Sequence, residues 1–115
     1  MAFVNFLLPL FFIIAQTDRA FTGKYTYAEG PAIYHCAICH LPLFHGDDQY
    51  DSGSGYPSFK QGKNVYFLED WSLGFKRYEV LCKGCDSHLG HIFNDGPPPK
   101  HLRYCIHSTT LVRVE

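Results

Sequence analysis

The stretch Cys82-Lys-Gly-Cys85-Asp-Ser-His88-Leu-Gly-His91-Ile-Phe93-Asn-Asp95-Gly-Pro97-Pro98-Pro99-Lys-His-Leu-Arg103-Tyr-Cys105-Ile-His107-Ser108 decides how this chain is read. It holds a Cys-x-x-Cys turn, two spaced histidines, a proline run and a cysteine standing alone. A matching turn lies upstream at Cys36-Ala-Ile-Cys39. The Cys-x-x-Cys spacing lets two sulfurs from one tight turn reach one tetrahedral ion, so two such turns suggest a four-thiolate zinc site made by Cys36, Cys39, Cys82 and Cys85. Two structural disulfides in a secreted protein are the alternative. A bridge within each Cys-x-x-Cys would close only a tiny loop and add little stability, which favours zinc. Either way, Cys105 is left over.

Working outward, 115 residues make one domain whose apolar core is adequate without being generous, so a metal staple would help it. Aromatic residues form 17% of the chain, with ten glycines and seven prolines, which favours an all-β domain of short strands and many turns over a helical bundle. The net charge of −1 provides no basic footprint for nucleic acid. Residues 2–15 are almost wholly apolar, interrupted by Asn5 and Pro9, and are too short to span a bilayer. Residues 1–16 therefore read as an apolar leader. It is either a secretory signal lacking the usual basic start, a segment packed on the domain, or a replaced N-terminus. The first reading implies the secretory pathway or endoplasmic reticulum, the others the cytoplasm. The folded domain is expected over residues 17–115.

Phe21, Gly23, Tyr25 and Tyr27 alternate as in an extended segment laid on a core. Strands are expected over residues 32–36, 64–68, 75–81, 102–106 and 109–114. Residues 51–59 form a glycine- and serine-rich loop with Tyr56 and Phe59 as candidate anchors, and such loops often line sites. Pro97 to Pro99 exclude helix and ladder hydrogen bonds, so residues 96–100 form a stiff connector. Both metal turns follow strands, and a shared ion would hold a sheet together at its end.

Along the strand at 102–106, Leu102, Tyr104 and Ile106 point one way and Arg103, Cys105 and His107 the other. The apolar set faces the core. The second set presents a thiol between a guanidinium and an imidazole, with Lys100, His101 and Arg113 close in sequence. Cations favour thiolate, the nucleophilic form. A half-buried inert cysteine beside surface charge is the plainer alternative. His88 and His91 are either structural histidines, metal ligands, the weaker option because four thiolates already fill a zinc shell, or, near a thiolate, candidates to hand a proton to a leaving oxygen. Asp95 is suited to pair with Arg103 and fix its fork, with a plain surface ion pair the equal alternative.

With these residues in view, the chain resembles the B-type methionine sulfoxide reductases, which reduce the R epimer of methionine sulfoxide. The resemblance runs from about Thr17 to Val114. It rests on Ala20-Phe-Thr-Gly-Lys-Tyr25, Cys36-Ala-Ile-Cys39, Asp51-Ser-Gly-Ser-Gly-Tyr-Pro-Ser-Phe59, Cys82-x-x-Cys85, His88-Leu-Gly-His-Ile-Phe93, Asp95-Gly-Pro97 and Arg103-Tyr-Cys-Ile106. It implies two small antiparallel sheets in a barrel-like arrangement and one structural zinc. It also implies Cys105 as nucleophile, with a sulfenic acid left after attack on the sulfoxide. His91 and His88 would assist the proton, Arg103 oriented by Asp95 would keep the thiolate charged, and Tyr56 and Phe93 would cradle the S-methyl group. Three positions depart from the family pattern. Ser54 stands where many members have a resolving cysteine, so thioredoxin, glutathione or another small thiol would act directly on the sulfenic acid. Tyr56 replaces the usual Trp, and His107 replaces a usual Asn among the substrate-binding groups. A monomer is expected, acting on oxidised methionine free or in proteins. The rival class is a zinc-stapled β-domain that serves only as a binding module.

Overall fold

The computed structural model describes residues 18–115, and the apolar leader lies outside them. The described residues form nine short strands: β1 Ile33–Cys36, β2 Pro42–His45, β3 Gln49–Tyr50, β4 Ser58–Phe59, β5 Val65–Asp70, β6 Arg77–Cys82, β7 His88–Phe93, β8 Arg103–Ile106 and β9 Leu111–Val114. Among the described residues there is no α-helix, and no helix long and apolar enough to cross a membrane. Two antiparallel sheets result, one ordered β2-β1-β9 and the other β3-β4-β8-β7-β6-β5. The sheets remain separate and do not close into a barrel.

Between them lies an aromatic core. Phe44 stacks on Phe59 with centroids 4.5 Å apart, and Tyr34 meets Phe59 edge-on at 5.2 Å. Leu43, Val80, Leu89, Tyr104, Ile106 and Leu111 surround them. The buried Tyr34 hydroxyl donates to Gln49 Oε1 at 2.6 Å, and Gln49 Nε2 donates to the Tyr25 carbonyl at 2.8 Å. Burying these polar groups is therefore not an uncompensated cost.

The expected extended segment at 21–27 is instead a run of turns. Phe21 adopts φ 66°, Thr22 N–H donates back to the Arg19 carbonyl, and of the three aromatics only Tyr25 is buried. The alternation came from aromatic spacing without the ladder partners that make a strand. A central strand, β7, was not anticipated, because histidines and a glycine occupy half of it and carry little strand propensity. Gly90 is required there: a Cβ on it would run into the Cys105 carbonyl across the ladder.

Candidate active site

Two sites emerge from this frame. The first is the cysteine cluster. Each Cys-x-x-Cys turn starts at the last residue of a strand, β1 or β6, and the two turns share one hydrogen-bond pattern. Cys36 N–H donates to the Leu41 carbonyl and His40 N–H to the Cys36 carbonyl; likewise Cys82 N–H donates to the Ser87 carbonyl and Asp86 N–H to the Cys82 carbonyl. His40 and Asp86, the residues after each second cysteine, both take the left-handed conformation that closes the turn, with φ 66° and 62°. Gly84 lets the turns meet, since a Cβ there would lie 2.8 Å from Cys39 Sγ.

The four sulfurs all lie within 4.8 Å of one another, with Cys36–Cys85 at 3.6 Å and Cys39–Cys82 at 3.4 Å. A tetrahedral shell with metal–sulfur bonds of about 2.3 Å would set sulfurs about 3.8 Å apart, so the cluster fits a metal ion. None of the five cysteines is disulfide-bonded. Burial would raise the Cys36 thiol, yet amide hydrogen bonds from Cys39 and Ile38 bring it to about 6, whereas burial pushes Cys82 up to about 12. Charge on one sulfur resists charge on the next, a conflict that a divalent cation removes. Because β1 and β6 belong to different sheets, the cluster joins the two sheets rather than closing the end of one.

The second site is a cleft of about 620 Å³ on the larger sheet, lined in part by Cys105, Arg103, His107, His88, His91 and Phe93. Strand alternation operates here as the sequence suggested: Tyr104 and Ile106 are buried, while Arg103, Cys105 and His107 face the cleft. Across the ladder Cys105 is directly opposite His91, and Phe93 opposite Arg103. Asp95 grips the Arg103 fork with both oxygens, at 2.8 and 3.2 Å, and the guanidinium lies over the Phe93 ring at 4.4 Å. The His88 ring centroid is 5.4 Å from that of His91 and 5.6 Å from that of His107. Tyr56 meets His107 edge-on at 5.5 Å and donates its hydroxyl to the Asp18 carbonyl at 3.1 Å. The backbone N–H of Asp18 donates to His107 Nδ1 at 3.4 Å, which assigns the proton of the neutral ring to Nε2.

The electrostatics refine the sequence reading. Burial raises the Cys105 thiol, while the Arg103 charge and hydrogen bonds involving Ser54 and Arg103 pull it down; burial wins, so the net shift is upward. The expected cationic help is real, but it is the smaller effect. Burial also lowers His91 and His107. Lys100 and Arg113 are engaged elsewhere, with Gln61 and with Glu115 and Glu29.

Several cleft residues escaped the sequence reading. Asp70 Oδ2 lies 2.7 Å from His91 Nε2 and 3.0 Å from Arg77, and Glu79 Oε2 lies 2.6 Å from His88 Nδ1. Asp70 and Arg77 face each other across the β5–β6 ladder. An Asp and an Arg seven residues apart, flanking a glycine-containing turn, was the available signal. Ser54 begins a hydroxyl chain through Ser52, 2.9 Å away, to Ser58, a further 2.6 Å on.

Fold and cleft together define a two-sheet β-domain with a four-cysteine cluster that fits a metal ion and a separate thiol centre flanked by histidines and an arginine. A family model described as the SelR domain matches residues 12–115. The chain is 52% identical over 101 residues to a peptide methionine sulfoxide reductase MsrB of Azotobacter vinelandii, covering 85% of this chain and 76% of that protein. The same identity and coverage relate it to the MsrB of Pseudomonas aeruginosa strain UCBPP-PA14. The mitochondrial methionine-R-sulfoxide reductase B3 of Mus musculus is 44% identical over 111 residues, covering 91% of this chain and 44% of that one. The chain belongs to the SelR-domain family of MsrB-type methionine sulfoxide reductases.

Proposed function

We propose that this chain reduces methionine-R-sulfoxide, free or within a polypeptide, to methionine at Cys105. The Cys105 thiolate attacks the sulfoxide sulfur while His91 or His88 delivers a proton to the sulfoxide oxygen. A sulfur–sulfur bond forms as the protonated oxygen leaves the substrate as water; water then attacks the Cys105 sulfur, the sulfur–sulfur bond breaks, methionine leaves with the electron pair, and Cys105 is left as sulfenic acid with release of a proton. Two electrons have then passed from the cysteine sulfur to the substrate sulfur. Two external thiols, or one dithiol such as thioredoxin, restore the thiol with loss of water, because Ser54 supplies no sulfur for an internal disulfide.

The observation that carries this reading is the cross-strand pairing of Cys105 with His91 in a cleft where Arg103 adjoins the thiol. Burial keeps the thiolate a minority species; Arg103, held by Asp95, and Ser54 bring it within reach. Tyr56 and Phe93 flank the methyl group, and His107 contributes to the wall beside Tyr56. Asp70 and Glu79 fix the tautomers of His91 and His88, so that in each ring the nitrogen away from the carboxylate carries the mobile proton. The four-cysteine cluster holds one structural zinc ion, for which thiolates in this geometry are suitable ligands. Loading with zinc supplies folding free energy and no step of the reaction.

The test is turnover of resolved R and S epimers by the zinc-loaded protein with dithiothreitol and with thioredoxin. Reduction confined to the R epimer, and abolished by Cys105→Ser at unchanged zinc content, is expected. Equal turnover by that variant would return the protein to the class of binding modules.

A further inference from the structure

Cys105 has two direct neighbours across the ladder: His91 on β7, which the proposed reaction uses, and Ser58 on β4, which it does not. Ser58 is fully buried, so its hydroxyl must find its partners inside the protein. It finds them in the loop before β4. There Gly53 and Gly55 take φ 81° and 88°, conformations that suit glycine, and the chain turns so that Ser52 Oγ lies 2.9 Å from Ser54 Oγ and 2.6 Å from Ser58 Oγ. Ser58 Oγ also reaches the Tyr56 carbonyl at 3.1 Å, and Ser54 lines the cleft with Cys105.

Each serine hydroxyl has one proton to give and two lone pairs. A carbonyl can only accept, so Ser58 gives its proton to Tyr56. Ser52 must then donate to Ser58, and Ser54 to Ser52. The lone pairs balance, since Ser52 also accepts from the Ser54 N–H at 3.3 Å and Ser54 from the Tyr56 N–H at 3.4 Å. With its proton committed to Ser52, Ser54 has only a lone pair to offer Cys105. That suits the thiol, whose S–H donates, and not the thiolate, which needs a donor. Ser54 nevertheless draws the thiol downward, which requires donation. Both hold when the three hydroxyls turn together.

We propose that Ser52, Ser54 and Ser58 form a hydroxyl chain of reversible direction, in which Ser52 and Ser58 are positioning residues that set how readily Ser54 serves the Cys105 thiolate. The inference rests on the reading of Cys105 as the nucleophile. Beside the thiol, the chain runs from the sulfur through Ser54, Ser52 and Ser58 to the Tyr56 carbonyl. Beside the thiolate it runs the other way, with Ser58 donating to Ser52, Ser52 to Ser54 and Ser54 to the sulfur. The carbonyl cannot hold a proton, so the proton that Cys105 loses leaves through the cleft, and only the directions of the hydroxyls change. Ionisation therefore forfeits the bond from Ser58 to the carbonyl. Without the Ser52 hydroxyl, Ser54 has its proton for the sulfur while Ser58 keeps the carbonyl; without the Ser58 hydroxyl, there is no carbonyl bond to break. Arg103 with Asp95, His107, His88 and His91 on β7 and Tyr50 on β3 also act on or stand near the sulfur, and Asp70, Arg77 and Glu79 close the cleft from β5 and β6. Exchange of a serine hydroxyl leaves all of these charges in place.

The experiment measures the pH midpoint of Cys105 alkylation by iodoacetamide in zinc-loaded protein, with the modified cysteine identified by mass spectrometry. Ser54→Ala should move the midpoint to higher pH, whereas Ser52→Ala and Ser58→Ala should move it to lower pH. Ser52→Thr keeps the hydroxyl and should hold the wild-type midpoint. Lost packing alone would not give opposite signs at neighbouring members of one chain. If Ser58→Ala does not fold, Ser52→Ala, at a half-buried position, decides. The proposal is overturned if Ser54→Ala leaves the midpoint in place, if Ser52→Ala fails to lower it, or if Ser52→Thr shifts it as Ser52→Ala does. Alkylation needs no sulfoxide. Absence of turnover would therefore sink the reading of Cys105 as a sulfoxide nucleophile and leave the midpoints to judge the serines.

Discussion

Arg103 lies flat over Phe93, its guanidinium carbon 4.4 Å from the ring centroid, while Asp95 holds the same group by both oxygens. Clamped between a ring and a carboxylate, the cation has a defined position beside Cys105. Removing it leaves burial unopposed, and burial raises the thiol. Arg103→Met is therefore expected to move the ionisation of Cys105 to higher pH. The pH dependence of iodoacetamide alkylation in zinc-loaded protein measures this directly. An unchanged midpoint would show that the guanidinium does not act on the sulfur.

The carboxylates behind the two histidines should be felt in the pH profile. Asp70→Asn and Glu79→Gln keep the shape of each side chain but remove the charge that stabilises the imidazolium. Each is expected to lower kcat by about tenfold or more, part of the contribution of a positioned acid. Asp70→Asn should also move the His91 ionisation downward, since Asp70 opposes the lowering by burial. The loss should fall on kcat, with KM little changed. If Asp70→Asn loses activity with an unshifted profile, its carboxylate serves packing alone.

Ser54 lines the cleft with Cys105 and draws the thiol downward against burial. Substituting Ser54→Cys should let the sulfenic acid be captured inside the chain, so that one turnover without reductant consumes two titratable thiols and yields a disulfide by mass spectrometry. Ser54→Ala should instead raise the thiol further by deleting a hydrogen bond. A Ser54→Cys protein whose Cys105 stays oxidised as sulfenic acid would mean that the loop holds position 54 in the wrong direction for bonding.

Burial lowers His107, and the nearby His88 and His91 act in the same direction, whereas Asp18 opposes them. The unfolded chain takes up this proton near the ordinary value of about 6.5, but the folded protein takes it up only at lower pH. The contribution to stability is thus full above that value and is lost as pH falls through it toward the folded value. His107→Asn should flatten the decline in melting temperature between pH 7 and pH 5. A parallel decline in the variant would assign the loss to other groups.

The strands that deliver Cys36, Cys82 and Cys105 were legible because each combines apolar or β-branched residues with a clear boundary. The thiol's face on β8 followed from period-two alternation. What the sequence hid was relational. The Asp70–His91 and Glu79–His88 pairs join residues on different strands, and only the ladder register among β5, β6 and β7 brings them together. Strand β7 itself was obscured by its own site residues, whose histidines and Gly90 serve the cleft and the close approach to β8 rather than strand propensity. The balance at Cys105 was equally hidden, since neighbouring cations can be read along a chain but depth of burial cannot.

The metal turns belong to two sheets that share a core but no ladder. An ion gripped by both turns therefore makes the sheet without the cleft answerable for the sheet that has it. With such an ion bound, the supply of metal in the surroundings would limit how much of the chain can stand ready for repair, and a shortage would silence Cys105 without any oxidant or inhibitor touching it.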